Sequence, residues 1–203
     1  MSASRPYRVS AMHAAHVALG ATFRDDADWR VAEAYGKPED EKTRALAGVG
    51  LADVSACGKL ALRGDTIERL LVKAVGIERL PARGAERLRV NGGRTLACRV
   101  AEDELLVLTP LSDAALVADV LGQATAATSC VHLTDLTSAF AAVDVLGPRA
   151  GELLARLSPL DLSDMPILTV VQGELARVHA ILIRLDRPDG FRALVAREYG
   201  AFV

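Results

Sequence analysis

The sequence predicts an α+β fold of pseudo-duplicated antiparallel sheets with helices, and three observations predict it. First, two segments read as copies of one strand–turn–helix unit: Ala61-Leu62-Arg63-Gly64-Asp65-Thr66-Ile67-Glu68-Arg69-Leu70-Leu71 and Asp144-Val145-Leu146-Gly147-Pro148-Arg149-Ala150-Gly151-Glu152-Leu153-Leu154. In each, a short apolar strand runs into Gly, and apolar residues follow three, six and seven positions later. Second, Asp53-Val54-Ser55 and Asp135-Leu136-Thr137 precede Gly64 and Gly147 at nearly equal distances. Third, strands cluster in hairpins, without the strict strand–helix alternation that a doubly wound parallel sheet needs. Glycine permits a sharp exit from the strand, and Asp65 or Pro148 then suits a first helical turn.

The elements follow in order. Residues 11–19 are helix-prone and stop at Gly20, and residues 21–37, mixed and polar, read as an arm lying over the domain. Pro38-Glu39-Asp40-Glu41 opens a helix to about Leu46, with proline and carboxylates suited to its positive end. Strands are expected at 51–55 and 59–63, then a helix at 66–75. Asn91-Gly92-Gly93 tolerates positive φ and predicts a hairpin joining Arg87–Val90 to Leu96–Val100, with Glu104–Leu108 as a further strand. Ser112 is placed to cap a helix over 113–121, and Gly122 to Ser129 reads as a small-residue linker. The second half repeats the scheme with strands at 131–136 and 139–146 and a helix at 149–157. Late strands at 174–185 and 191–196 are joined by the turn Arg187-Pro188-Asp189-Gly190. The expected units are thus 1–128, a first half with an N-terminal arm, and 129–203, a shorter second half.

Composition narrows the function. The chain has 203 residues, 51% apolar and 25% charged, with a net charge of −2, so it carries no overall basicity of the kind that suits nucleic acid. No apolar run approaches the length of a membrane span, and Arg5 and Arg8 precede no continuous apolar core, so no signal peptide is expected. Cys57, Cys98 and Cys130 are odd in number and form no close pair, which suits buried thiols in a reducing cytoplasm.

Four separated motifs resemble the glycine-cleavage T-protein superfamily of folate-binding aminomethyltransferases: His13–Gly20, Leu51–Gly64, Thr134–Ala150 and Asp189–Tyr199. The resemblance implies a T-protein-like folate-binding fold lacking the C-terminal β-barrel, and tetrahydrofolate as the possible ligand. Within that superfamily the short gamma subunit of heterotetrameric sarcosine oxidase is most similar in length. The tRNA-modifying branch is disfavoured, since Thr169-Val170-Val171-Gln172-Gly173-Glu174 has no cysteine where that branch carries one.

The departures carry the functional expectation. Family transferases place a carboxylate on the strand leaving the Gly-Gly turn, and here Leu96 and Ala97 stand there; neither can take a proton or stabilise a developing cation. A pterin-lining Met falls on Cys57 and an Asn on Thr109. The segment carrying the family's pterin-clamping Glu is shortened to Arg184-Leu185-Asp186-Arg187-Pro188-Asp189-Gly190. Cys57, Leu96, Thr109, Gln172 and Arg184 are therefore the candidate lining of a vestigial folate pocket. Gln172 could equally sit at a turn or bulge.

Arg83, Arg87, Arg89, Arg94 and Arg99 cluster around the hairpin. Arg87, Arg89 and Arg94 read either as anion contacts, for a folate glutamate tail or an acidic partner, or as a solvated strand face. His13 and His16 lie one helical turn apart but have no third ligand nearby, so packing or surface roles are expected rather than a metal site. Asp53 near Ser55 reads as a carboxylate bonding its own backbone.

The expectation is a catalytically silent scaffold that associates with larger subunits or with itself. An active tetrahydrofolate-dependent transferase using Asp103 or Asp186, and a homo-oligomeric small-molecule binding module, are the alternatives.

Overall fold

The computed structural model describes residues 6–203 except 78, 91, 163 and 187. Arg5, Asn91 of the predicted hairpin turn and Arg187 of the predicted late turn lie outside the described residues.

The N-terminal segment departs from the expected arm. β1 (Arg8–Val9), β2 (Thr22–Asp26) and β3 (Trp29–Ala34) form a small sheet of their own, in the order β1-β3-β2. The β2–β3 turn passes through Ala27 at φ 54°, so no glycine advertises it. α1 (His13–Ala18) precedes this hairpin, and α2 (Pro38–Ala47) follows it. α2 buries none of its side chains and is shaped by Pro38, three acids in its first turn and Arg44 in its last.

Next come β4 (Gly50–Asp53), β5 (Gly58–Arg63), α3 (Ile67–Val75), β6 (Ala85–Leu88), β7 (Thr95–Ala101), β8 (Glu104–Thr109) and α4 (Ala114–Ala126). α3 buries Ile67, Leu71 and Val75, one stripe at helical spacing, and ends where Gly76 turns left-handed at φ 67°. Two expectations are corrected here. α4 runs through most of the predicted linker, because Gly122 and its small neighbours sit on an open helix face. Ser112 lies in a 3₁₀ turn before α4 and bonds Asp113, without capping the helix.

The second half supplies β9 (His132–Asp135), β10 (Phe140–Leu146), α5 (Ala150–Ala155), β11 (Val170–Leu175), β12 (Val178–Leu185) and β13 (Gly190–Ala196). The single strand expected over 174–185 is in fact the end of β11, a tight turn and β12. That turn uses Ala176 and Arg177 at φ 49° and 68°, positions where glycine or asparagine is the usual signal.

This extra hairpin makes the duplication more complete than the sequence suggested. One five-stranded sheet has the order β6-β7-β8-β5-β9, and the other β11-β12-β13-β10-β4. Each is antiparallel throughout. The two orders superimpose if β5 to β8 correspond to β10 to β13, with β9 and β4 exchanged. Each repeat therefore lends the strand just before its own sheet to the other's: β4 joins β10–β13, and β9 joins β5–β8.

The repeated glycines make this exchange possible. A Cβ on Gly64 would lie 1.9 Å from the Cys130 carbonyl oxygen, just before β9; one on Gly147 would lie 2.3 Å from Ala45 O and 2.6 Å from Gly48 O, just before β4. Both have positive φ, 147° and 104°. The lent strands are tied in alike. Asp53 Oδ1 accepts from Ser55 N at 2.9 Å and Asp135 Oδ1 from Thr137 N at 2.8 Å. The Ser55 and Thr137 hydroxyls then accept from Ala142 N and Lys59 N, one in each sheet.

Three apolar cores separate the layers. α3 and α4 pack on one face of the first sheet through Leu62, Leu71, Leu105 and Leu121. Met12, just before α1, and α5 pack on the outer face of the second sheet around Leu154, Leu182 and Phe191. The inner faces of the two sheets meet through Leu96, Cys98, Leu106, Ile183 and Leu194. Among the described residues no strand set closes into a barrel.

Candidate functional site

The seam between the sheets holds most of the buried polar chemistry. Period-two alternation puts Lys59 on the inner face of β5, Asp144 on that of β10 beside Ala142, and Arg192 on that of β13 beside Leu194. Arg192 grips Asp144 with two parallel hydrogen bonds, Nε to Oδ1 at 2.6 Å and Nη2 to Oδ2 at 2.8 Å. Burial opposes the Arg192 charge, yet the bonded Asp144 carboxylate raises its pKa above the ordinary value. Lys59, 1% exposed, directs Nζ to the carbonyls of Ser55 and Cys57, both at 2.8 Å. Burial pulls its pKa down to about 8. Its position on the seam fastens the loop between β4 and β5 to the sheet. Sequence reasoning missed all three; the available signal was a charged residue on the inward phase of an otherwise apolar strand.

Cys57 and Leu96 meet this seam. The Cys57 thiol is pushed up mainly by burial, with Arg192 and Lys59 opposing. Cys98, also at the seam, is pushed up to about 12 by burial. Both thiols are therefore poor nucleophiles, whereas Cys130 is exposed, contrary to the expectation that all three are buried. Leu96 packs in the core between the sheets, and Ala97, fully buried, packs against the helices on the other face. Thr109 also faces the helix side, bonded to Thr95 at 2.9 Å.

The remaining predicted residues scatter. Arg184 lies on the opposite face of the second sheet, over the Phe191 ring and paired with Asp189 at 2.6 Å. Gln172 reaches across from β11 to the Val100 carbonyl at 2.6 Å, at the far end of β7 from Leu96. Arg87 pairs with Asp186 and donates to Gly93 O at 2.8 Å. Arg94 donates to both oxygens of Asp113, at 3.1 and 3.0 Å. Arg89 is exposed and lines a 410 Å³ cavity with Arg79 and Arg87. Leu88 and Val90, which alternate with Arg87 and Arg89 along the chain, are buried.

A second polar group links the N-terminal sheet to the exchanged strand. His16 Nε2 lies 2.8 Å from Asp53 Oδ2, and the Tyr35 hydroxyl lies 2.6 Å from Nδ1. One neutral tautomer satisfies both: Nε2 donates to the carboxylate and Nδ1 accepts from the phenol. Burial works against the Asp53 charge, but hydrogen bonds from Ser10, Ser55 and His16 hold its pKa below the usual carboxylate range. Asp53 thus bonds its own backbone as the sequence suggested, and holds His16 as well. His13 packs against Phe23 with ring centroids 4.7 Å apart and ring planes tilted by 51°.

Beside this group runs an apolar groove of about 490 Å³, lined by Leu19, Leu51, Leu157 and Val203 among others. Leu51, on edge strand β4, is 65% exposed.

Residues 12–186 match the GCVT N-terminal domain. The chain belongs to the GCVT family. This GCVT chain is 30% identical over 207 residues to an aminomethyltransferase of Streptomyces avermitilis, covering 96% of itself and 55% of that protein. It is 32% identical to sarcosine oxidase subunit alpha of Corynebacterium sp. strain U-96, over 78% of itself and 18% of that subunit. It thus spans about half the length of the curated aminomethyltransferases it matches. Its fold superposes on glycine cleavage system aminomethyltransferase T from Bartonella henselae with a TM-score of 0.77 at 18% identity, over 93% of this chain and 54% of that one. It also superposes on a chain of heterotetrameric sarcosine oxidase from Corynebacterium sp. U-96, with a TM-score of 0.63 at 23% identity, over 79% and 84% of the two chains. No helix among the described residues is long and apolar enough to cross a membrane.

Proposed function

We propose that this GCVT-family chain is a catalytically silent scaffold, acting as a non-catalytic subunit in one-carbon amine metabolism. The observation that carries the reading is the fate of β7. Where the family resemblance calls for a carboxylate, Leu96 and Ala97 are built into two different apolar cores, one on each face of the sheet. A carboxylate at Ala97, on the helix side and opposite Glu86, would be buried without a cationic partner at a cost on the order of several kcal/mol, whereas at Leu96 the cross-strand neighbour is Arg87, which pairs with Asp186 instead.

The residues present do not fit a reduced pterin. Asp186 and Asp189, which could replace the missing clamp, are engaged by Arg87 and Arg184. Asp103 lies in the β7–β8 turn beside Glu104, whereas Cys57 and Thr109 adjoin the opposite end of the sheet. Every buried side-chain nitrogen and oxygen among the described residues has a hydrogen-bond partner, which describes a closed seam and not a site awaiting a polar ligand.

A subunit role is supported by the exposed apolar groove at Leu51 and Leu157, a surface that association would cover. The fold likeness that spans 84% of one chain of a heterotetrameric assembly points the same way. The test is to purify the tagged chain from its native cells and assay it for tetrahydrofolate-dependent aminomethyl transfer. Recovery of a larger flavoprotein subunit, with no turnover by the isolated chain, supports the proposal. Turnover by the isolated chain, or a chain recovered without any larger subunit, overturns it.

A further inference from the structure

At the opposite end of β7 from Leu96 lies a cavity of about 860 Å³ that the reading above leaves without a role. It opens where edge strands β6 and β11 of the two sheets converge, a junction fastened by Ala85 N donating to Leu168 O at 2.7 Å and by Gln172 reaching the Val100 carbonyl. Three guanidinium groups line it: Arg79, Arg83 and Arg99.

Arg99 is fixed at its base. Its side chain is 15% exposed and bonds Pro81 O at 3.2 Å, Glu102 O at 2.9 Å and Glu68 Oε2 at 3.3 Å. Glu68 Oε1 also accepts from Leu80 N at 3.1 Å, so both carboxylate oxygens are engaged. Arg79 and Arg83 are different. Both are exposed and have no hydrogen-bond or ion-pair partner among the described residues. Among the described residues the one other charged side chain lining the cavity is Glu102, which is exposed. With Glu68 held by Arg99, two unpaired cations outnumber one acid, in a chain whose net charge is −2. Leu160, Val170 and Val171 are among the apolar residues that line it.

We infer that this cavity binds a small organic anion, with a carboxylate, sulfonate or phosphate head between Arg79 and Arg83 and an apolar body on Val170, Val171 and Leu160. The volume lies within the range of small-molecule sites, roughly 300–1,000 Å³, and a few polar groups converging on an apolar wall is how such sites fix orientation. Planar guanidinium groups suit a multi-oxygen anion through paired hydrogen bonds. Gln172, its amide nitrogen engaged by Val100, leaves its carbonyl oxygen as an acceptor at the rim. The site is independent of the silent scaffold proposed above.

The test uses the full chain and two fluorescent probes of the same shape, 8-anilinonaphthalene-1-sulfonate and the uncharged N-phenyl-1-naphthylamine. Saturable binding of the sulfonate is expected, weakened about tenfold or more in the double variant Arg79→Ala with Arg83→Ala, which removes both charge-assisted contacts to the head group. The neutral probe should bind wild type and double variant alike. Ala82→Trp, at an exposed lining position, should exclude both probes. Leu51→Ser with Leu157→Ser, in the separate apolar groove, should leave the arginine-dependent binding unchanged. The inference is overturned if the sulfonate does not saturate, binds the arginine double variant as tightly as wild type, or loses its arginine-dependent site on substitution of Leu51 and Leu157.

Discussion

Lys59 makes the stability of this fold depend on pH in a direction opposite to that of an ordinary surface lysine. In the folded chain its pKa is about 8, against an unperturbed 10.5, because burial between the sheets, with repulsion from Arg192, penalises the charge more than Cys57, Asp53 and Asp135 reward it. Below about pH 8 both folded and unfolded chains carry the proton, and the whole penalty acts against folding. Between the two values the unfolded chain binds more protons, so raising the pH favours the folded state; above the unfolded value the penalty is gone. The difference between the two values corresponds to about 3 kcal/mol in all, of which about 1 kcal/mol is recovered by about pH 9 and roughly 2–3 kcal/mol by about pH 10. Urea denaturation of wild type and Lys59→Met, run in parallel across this range, isolates the effect from other titrating groups. The stability of wild type relative to Lys59→Met should climb with pH by these amounts. A difference that stays flat, or falls, would refute the argument that Lys59 is buried as a cation held by Ser55 and Cys57 carbonyls.

Three further outcomes follow from the same geometry. Gly64→Ala and Gly147→Ala should each cost more than about 2 kcal/mol in urea melts, since the added methyl meets a backbone oxygen at a strained φ, whereas Gly122→Ala, with open space around it, should be neutral or stabilising by up to about 1 kcal/mol. Arg192→Met should destabilise by about 3–5 kcal/mol by stranding Asp144, and adding Asp144→Leu should restore most of the loss. Leu51→Ser, at an exposed edge position, should shift the unfolding free energy by less than about 0.5 kcal/mol yet reduce recovery of a partner subunit in co-purification.

What the sequence revealed depended on where sterics leave a single residue acceptable. Gly64 and Gly147 stood out because the chain that enters each exchanged strand passes against their α-carbons, and they led directly to the duplication. The hairpin at Ala176 and Arg177 and the turn at Ala27 were hidden because residues other than glycine adopt positive φ there. α4 was cut short because exposed small residues around Gly122 look like a linker when their solvent-facing side is not known. The site was less legible still. His16, Tyr35 and Asp53 come together only because β4 joins the second sheet, and Asp144 meets Arg192 only through the β10–β13 register. Gln172 and Arg184, grouped with Cys57 and Leu96 by resemblance, are separated from them by strand length and by sheet face. The expectation that Leu96 and Ala97 stand where the family carries a carboxylate needs only the position of one hairpin.

The central claim, that the acidic group needed for folate chemistry has been replaced by core packing on β7, is tested most directly by isothermal titration of the purified chain with tetrahydrofolate. The account predicts no saturable heat at ligand concentrations up to the millimolar range. Stoichiometric binding in the micromolar range that is lost on Asp103→Ala or Asp186→Ala would contradict it, because a displaced carboxylate would then be serving the pterin after all.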